Sequence, residues 1–178
     1  INHSPVGVLG DPGSGKSTFM NHLALCLAMH ALEPEGGWLE QLRGWPREPG
    51  DLVPIPVVLR DFARWLPDTT RRMEASHLWE FINQRLKDQN LAFAAEHLHE
   101  ALETGKAIVL LDGLDEIPGA DQRRLTRDAV AEFTGRYSRS RHVVTCRTLS
   151  YQDAMSRLEG VPAFELAPFD AERIDRFI

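Results

Sequence analysis

The sequence predicts an α/β fold of three layers, with a parallel sheet of about five strands between helices. Three observations predict it. Short apolar runs alternate along the chain with longer segments whose apolar residues recur at helical spacing. Two of the runs, Val6 to Leu9 and Ala107 to Leu111, are apolar along their whole length, as strands buried on both faces of a parallel sheet are. A glycine-rich loop joins the first such run to the first helical segment.

Taken in order, the first strand is expected over 5–9, around Val6-Gly7-Val8-Leu9, and a helix over 17–31, apolar nearly all round and free of Pro and Gly. Residues 33–51 carry Pro34, Gly36, Gly37, Gly44, Pro46, Pro49 and Gly50, so they read as a loop with one turn of helix at 38–42. Its tryptophans, Trp38 and Trp45, either pack on the core or mark a contact surface. A strand follows over 52–60, then helices over 78–88 and 91–103, the second ended by Gly105. The next strand spans 107–111, a helix 121–137, a strand 142–146, a short helix near 151–158 and a strand 163–166. A final helix starts at Asp170 as N-cap, with Phe169 and Ile174 in hydrophobic-staple positions. Leu78, Phe81, Ile82 and Leu86, and likewise Leu125, Ala129, Phe133 and Tyr137, form helical stripes that belong to the core.

The chemistry concentrates in the glycine loop. Gly10-Asp11-Pro12-Gly13-Ser14-Gly15-Lys16-Ser17 fills the pattern G-x-x-x-x-G-K-[ST] between a strand and a helix, the context that pattern requires. Glycines let the backbone curl around an anion, and the helix that follows offers its positive N-terminal end. Gly10 to Ser17, with Thr18, are therefore the candidate nucleotide-binding residues: Lys16 reaches the β- and γ-phosphates, and Ser17 supplies a hydroxyl to Mg²⁺. Lysine occurs only at 16, 87 and 106 among the 20 basic residues, so a chain that otherwise uses Arg keeps Lys where a compact ammonium is needed.

A second half-site lies at Ala107-Ile108-Val109-Leu110-Leu111-Asp112, an apolar strand that delivers a carboxylate to its C-terminal edge. Asp112 is the candidate Mg²⁺ acid. Asp115 and Glu116 follow within a few residues; one of them orients the attacking water, or the two only cap the next segment. Gly113 stands where many related ATPases place a catalytic Glu, so slow hydrolysis is expected.

The string Leu110 to Ile117, with Gly10 to Ser17, resembles the NACHT family of STAND-class P-loop NTPases. Ile55 to Asp61 is similar to that family's second strand, Val143-Val144-Thr145-Cys146-Arg147 to its sensor-1 strand, and 164–169 to its fifth strand. The resemblance implies a P-loop NTPase fold and a switch: ADP holds the protein closed, ATP exchange opens it, and open protomers assemble under flanking sensor and effector domains. It gives Lys16 and Ser17 to phosphate and Mg²⁺, Asp112 to Mg²⁺, and Arg147 to the γ-phosphate. It also leads us to expect residues 1–178 to be one NTPase domain, a piece of a longer protein. The helical and winged-helix parts, the histidine that clasps ADP and most adenine-binding residues would then lie outside it.

Two alternatives stay open: a conventional P-loop ATPase or motor with fast turnover, and a scaffold that holds nucleotide without hydrolysing it. A GTPase is disfavoured, since no N-K-x-D string occurs, and a transporter ATPase lacks its Ser-Gly-Gly signature. With 178 residues, 43% of them apolar, the chain can bury one core. A net charge of −6 argues against nonspecific nucleic-acid binding as the main task, and the group Arg136, Arg139, Arg141 and Arg147 reads as a solvated helix end. Cys26 and Cys146 fit neither a metal nor a disulfide pattern and read as buried thiols of a cytoplasmic protein. No apolar run reaches membrane-spanning length.

Overall fold

In a computed structural model, which describes residues 5–45, 51–67, 70, 72–151 and 161–167, five strands form one all-parallel sheet. These are β1 (Val6–Leu9), β2 (Val53–Val58), β3 (Ala107–Asp112), β4 (Arg141–Cys146) and β5 (Ala163–Glu165), in the order β2-β3-β4-β1-β5. Helix α1 (Lys16–Leu32) connects β1 to β2; α2 (Leu59–Trp65), α3 (Ala75–Asp88) and α4 (Ala95–Thr104) come between β2 and β3; α5 (Ala120–Arg136) comes between β3 and β4.

This order explains the layers. The chain runs from β1 to the far edge at β2, returns strand by strand to β4, then passes β1 to reach β5. Right-handed crossovers in opposite directions put their helices on opposite faces. Alternation within β3 shows the result: Ile108 and Leu110 pack with Met20, Leu23 and Leu27 of α1, whereas Ala107, Val109 and Leu111 pack with the helices of the other face. That second core gathers Leu59 and Phe62 of α2, Leu78, Phe81 and Ile82 of α3, Leu102 of α4, and Ala129 and Phe133 of α5. The stripes read from the sequence on α3 and α5 are thus core, with Leu86 and Leu125 packed at its margin.

β2 is an edge strand that contains two prolines. Val53 N–H donates to the Lys106 carbonyl at 2.8 Å, which turns the polar groups of Val53, Ile55 and Val57 toward β3. The N–H positions of Pro54 and Pro56 therefore point away from the sheet, where an absent donor breaks no ladder bond.

The expected boundaries need two corrections. The strand drawn over 52–60 stops at Val58, and Leu59 and Arg60 open α2, a helix absent from the sequence reading. The apolar run does continue to Leu59, but Leu59, Phe62, Ala63 and Leu66 recur at helical spacing and all are buried. In the helix expected over 91–103, a 3₁₀ turn at Ala92–Ala94 precedes α4. Gly105 does end α4, with φ 78°. The loop after α1 holds two 3₁₀ turns, Pro34–Gly36 and Trp38–Gln41, and its Leu39, Leu42 and Trp45 pack on the α1-side core. Arg136, at the helix end read as solvated, grips Glu103 with two hydrogen bonds of 2.6 and 3.2 Å. The helix expected near 151–158, past Tyr151, and the final helix with Phe169, Asp170 and Ile174 lie outside the described residues.

Candidate functional site

β1 and β4 are neighbours whose following connections leave for opposite faces: α1 covers one core, and Tyr151, after β4, packs against the other. Such a divergence opens a crevice at the C-terminal ends of the strands. A pocket of about 300 Å³ lies there, lined by Pro12, Gly13, Gly15, Lys16, Ser17 and Thr18 from the loop and by Asp112, Gly113, Glu116, Thr145 and Arg147 from the sheet edge.

The loop owes its shape to its glycines. Gly13 and Gly15 have φ of 79° and 88°, the left-handed region that side chains disfavour. A Cβ at Gly10 would meet the Ser14 side chain, with Ser14 Cβ at 3.1 Å, so a larger residue there would require Ser14 to rotate and shift. Ser14 N–H closes a turn onto the Asp11 carbonyl at 3.0 Å, and Lys16 Nζ donates to the Gly10 carbonyl at 2.6 Å and the Asp11 carbonyl at 3.1 Å. Gly10, Asp11 and Ser14 thus shape the loop from behind, while the other predicted loop residues meet the pocket.

α1 begins without a capping side chain and without an acid in its first turn; the Gly15 carbonyl takes Phe19 N–H at 2.8 Å. The earlier N–H groups and the positive end of a 17-residue helix are left to whatever anion enters the pocket.

Asp112 and Thr145 complete the opposite wall. Thr145 is fully buried; its hydroxyl donates to Asp112 Oδ1 at 2.5 Å and accepts Gly113 N–H at 2.7 Å. With that hydroxyl proton committed to Oδ1, the carboxylate is fixed in orientation. Gly113 turns with φ 81°, and the 3₁₀ turn Leu114–Glu116 after it separates the two acids. Glu116 lines the pocket, and Arg60 Nη1 stands 3.7 Å from its Oε2. The Asp115 side chain is 2% exposed and is not part of the pocket lining. Its Oδ1 accepts Arg147 N–H at 2.9 Å, and its Oδ2 pairs with Arg147 Nε at 2.9 Å.

Beside this pair, burial and then the Asp115 charge push the Cys146 thiol up to about 12, so it stays a neutral thiol. Burial raises Cys26 as well. Both cysteines are free and buried, as read from their spacing.

The sequence reading overlooked two participants, Thr145 and Arg60. Thr145 was within sight as a hydroxyl after the apolar pair Val143-Val144, two residues before Arg147 at the same sheet edge. Arg60 was placed in a strand, and only the start of α2 carries it to Glu116.

A hollow of about 360 Å³ lies elsewhere, between the β2 edge and α3, floored by Ile55, Val57, Phe81 and Ile82. Among the described residues Asp61, Arg85 and Gln89 are its only polar side chains; it has no glycine loop, and the start of α2 that borders it carries an acid, Asp61, in its first turn. The smaller pocket is therefore the candidate site. Its hydroxyl and carboxylate oxygens suit a hard divalent cation, and its glycine loop suits a polyanion. Among the described residues no three His, Cys, Asp or Glu converge as a metal cluster, and no helix is long and apolar enough to cross a membrane. No protein-family model matches the chain, and no curated protein matches it.

Proposed function

We propose that this chain is the ATP- and ADP-binding core of a signal-transducing assembly switch, with a P-loop NTPase fold of NACHT type and slow Mg²⁺-dependent ATP hydrolysis. One observation carries the reading: the uncapped N-terminus of α1, introduced by the Gly10–Ser17 loop, shares a pocket with Asp112 two strands away. The loop fills the phosphate-cradle pattern in sequence, and the positive φ of Gly13 and Gly15 supports a backbone curled around an anion. Ser17 and Asp112 fit Mg²⁺ as oxygen donors, and the metal would neutralise charge between phosphate oxygens.

The residues divide the work. The loop and α1 hold the phosphates, Lys16 swings from its carbonyl partners to a phosphate, and Thr145 keeps Asp112 oriented. Glu116 is the carboxylate at the pocket that can take a proton from water. Adenine is favoured because no guanine-reading N-K-x-D string occurs. Self-assembly, the flanking sensor and effector domains, and a reducing cytoplasmic setting belong to the same proposal; the free thiols suit the last.

Calorimetry with Mg-ATP, Mg-ADP and Mg-GTP tests it. The chain should bind the adenine nucleotides, Lys16→Ala should lose triphosphate binding while melting at the parental temperature, and Asp112→Asn should lose Mg²⁺ dependence more than nucleotide affinity. A parent chain that binds none of them, or a Lys16→Ala variant with unchanged affinity, rejects the assignment.

A further inference from the structure

Asp115 and Glu116 are adjacent acids after one strand, yet their surroundings differ. Glu116 is exposed at the pocket. Asp115 is buried, with one oxygen on the Arg147 backbone N–H and the other against Arg147 Nε, both at 2.9 Å. Arg147 itself is 45% exposed in its side chain and lines the pocket. Its two Nη nitrogens, the open end of the guanidinium fork, take no other partner among the described residues.

A guanidinium held by its Nε and its own backbone has lost most of its swing, while its Nη donors remain available for two oxygens of one anion. We infer that Asp115 is a positioning residue: it clamps Arg147 so that the guanidinium fork meets the terminal phosphate, and it sets the preference for triphosphate over diphosphate. It does not handle water, since its side chain is buried and does not line the pocket; Oδ1 accepts the Arg147 backbone N–H, and Oδ2, which makes no hydrogen bond among the described residues, lies in ion-pair contact with Arg147 Nε. The inference rests on the nucleotide reading above and adds which of the two acids discriminates between nucleotides.

A second feature fits. Arg147 follows β4 directly, and Asp115 sits in the turn after β3, so the clamp ties the exits of two neighbouring strands across the pocket floor. Loss of a terminal phosphate would leave this tie intact, and loss of the tie would leave phosphate binding by the glycine loop intact.

The test is the ratio of Mg-ADP to Mg-ATP dissociation constants for the 178-residue chain, measured by calorimetry beside thermal melting. Asp115→Asn should lower the preference for ATP by roughly tenfold, the scale of one close charge–charge contact. Arg147→Ala should lower it equally, and the double variant no further. Arg147→Lys keeps the charge but loses the Nε grip, so it should show the same loss; it carries the test if Asp115→Asn does not fold. Parental ratios in Asp115→Asn or Arg147→Lys, or additive losses in the double variant, overturn the clamp. So does an Asp115→Asn chain with a parental ratio that no longer releases phosphate. A parent that binds both nucleotides without preference overturns the clamp and leaves the nucleotide reading standing, whereas a parent that binds neither overturns both.

Discussion

Thr145 and Asp112 stand side by side on neighbouring strands, joined by a 2.5 Å hydrogen bond from the threonine hydroxyl to the carboxylate, and the same hydroxyl receives Gly113 N–H. Thr145→Val keeps the shape and removes both bonds. The buried Gly113 N–H then loses its acceptor, at a cost of about 1–3 kcal/mol. We expect that loss in urea denaturation, with a higher Mg²⁺ requirement for ATP binding. Unchanged stability and an unchanged Mg²⁺ titration would show that the hydroxyl is dispensable.

Gly105→Ala addresses the fold away from the site. Gly105 has φ 78°, and a Cβ there would lie 2.6 Å from the Arg139 carbonyl oxygen, a backbone atom with little room to yield. The left-handed conformation alone costs about 1–2 kcal/mol for a side chain, and the contact adds to it. We expect a loss above about 2 kcal/mol in chemical denaturation; a variant within experimental error of the parent would contradict the described turn.

Stability should fall at alkaline pH. The Cys146 thiol ionises near 9.0 when unfolded and at about 12 when folded, because burial and the Asp115 charge disfavour the thiolate. A group raised on folding stabilises fully below its unfolded value and loses that contribution as pH rises toward its folded one. The loss should therefore run from about pH 9 to pH 12. Burial of Cys26 and Tyr137 adds to it with the same sign. Cys146→Ala should flatten, without abolishing, the decline of melting temperature across that window; an equally steep decline in the variant counts against the assignment.

Hydrolysis by the isolated chain should be slow, below about one turnover per second. On the proposed reading, Gly113 directly follows the carboxylate assigned to Mg²⁺, and an arginine finger, worth about 10³–10⁵ in rate in P-loop NTPases, would have to come from another protomer. Glu116→Gln should remove the residual phosphate release and leave ATP binding within about twofold. Several turnovers per second from the parent would favour a conventional ATPase over a switch.

The sheet and most helices were legible because they rest on uniformly apolar runs and regular spacing, which Ile108 to Leu111 and the α3 stripe display without interruption. That the loop and Asp112 meet at one pocket was legible because both follow apolar strands of one parallel sheet, whose C-terminal ends share an edge. Helix α2 was not, since its first residue prolongs the apolar run of β2 and seven residues give little periodicity. Asp115 and Glu116 looked equivalent because charge and sequence position say nothing about which way a one-turn segment faces. Their difference arises from the turn at Gly113 and the proximity of Arg147, both long-range consequences of β3 lying beside β4.

The prolines of β2 have a meaning for how copies of this chain can meet. A strand approaching the β2 margin finds carbonyl acceptors at Pro54 and Pro56 but no matching donors, so half of a continuing ladder cannot form there. That rim works as a non-stick border, ending sheet growth and sparing the folded domain from templating its own aggregation. Copies of this chain would then have to meet elsewhere than along the β2 margin.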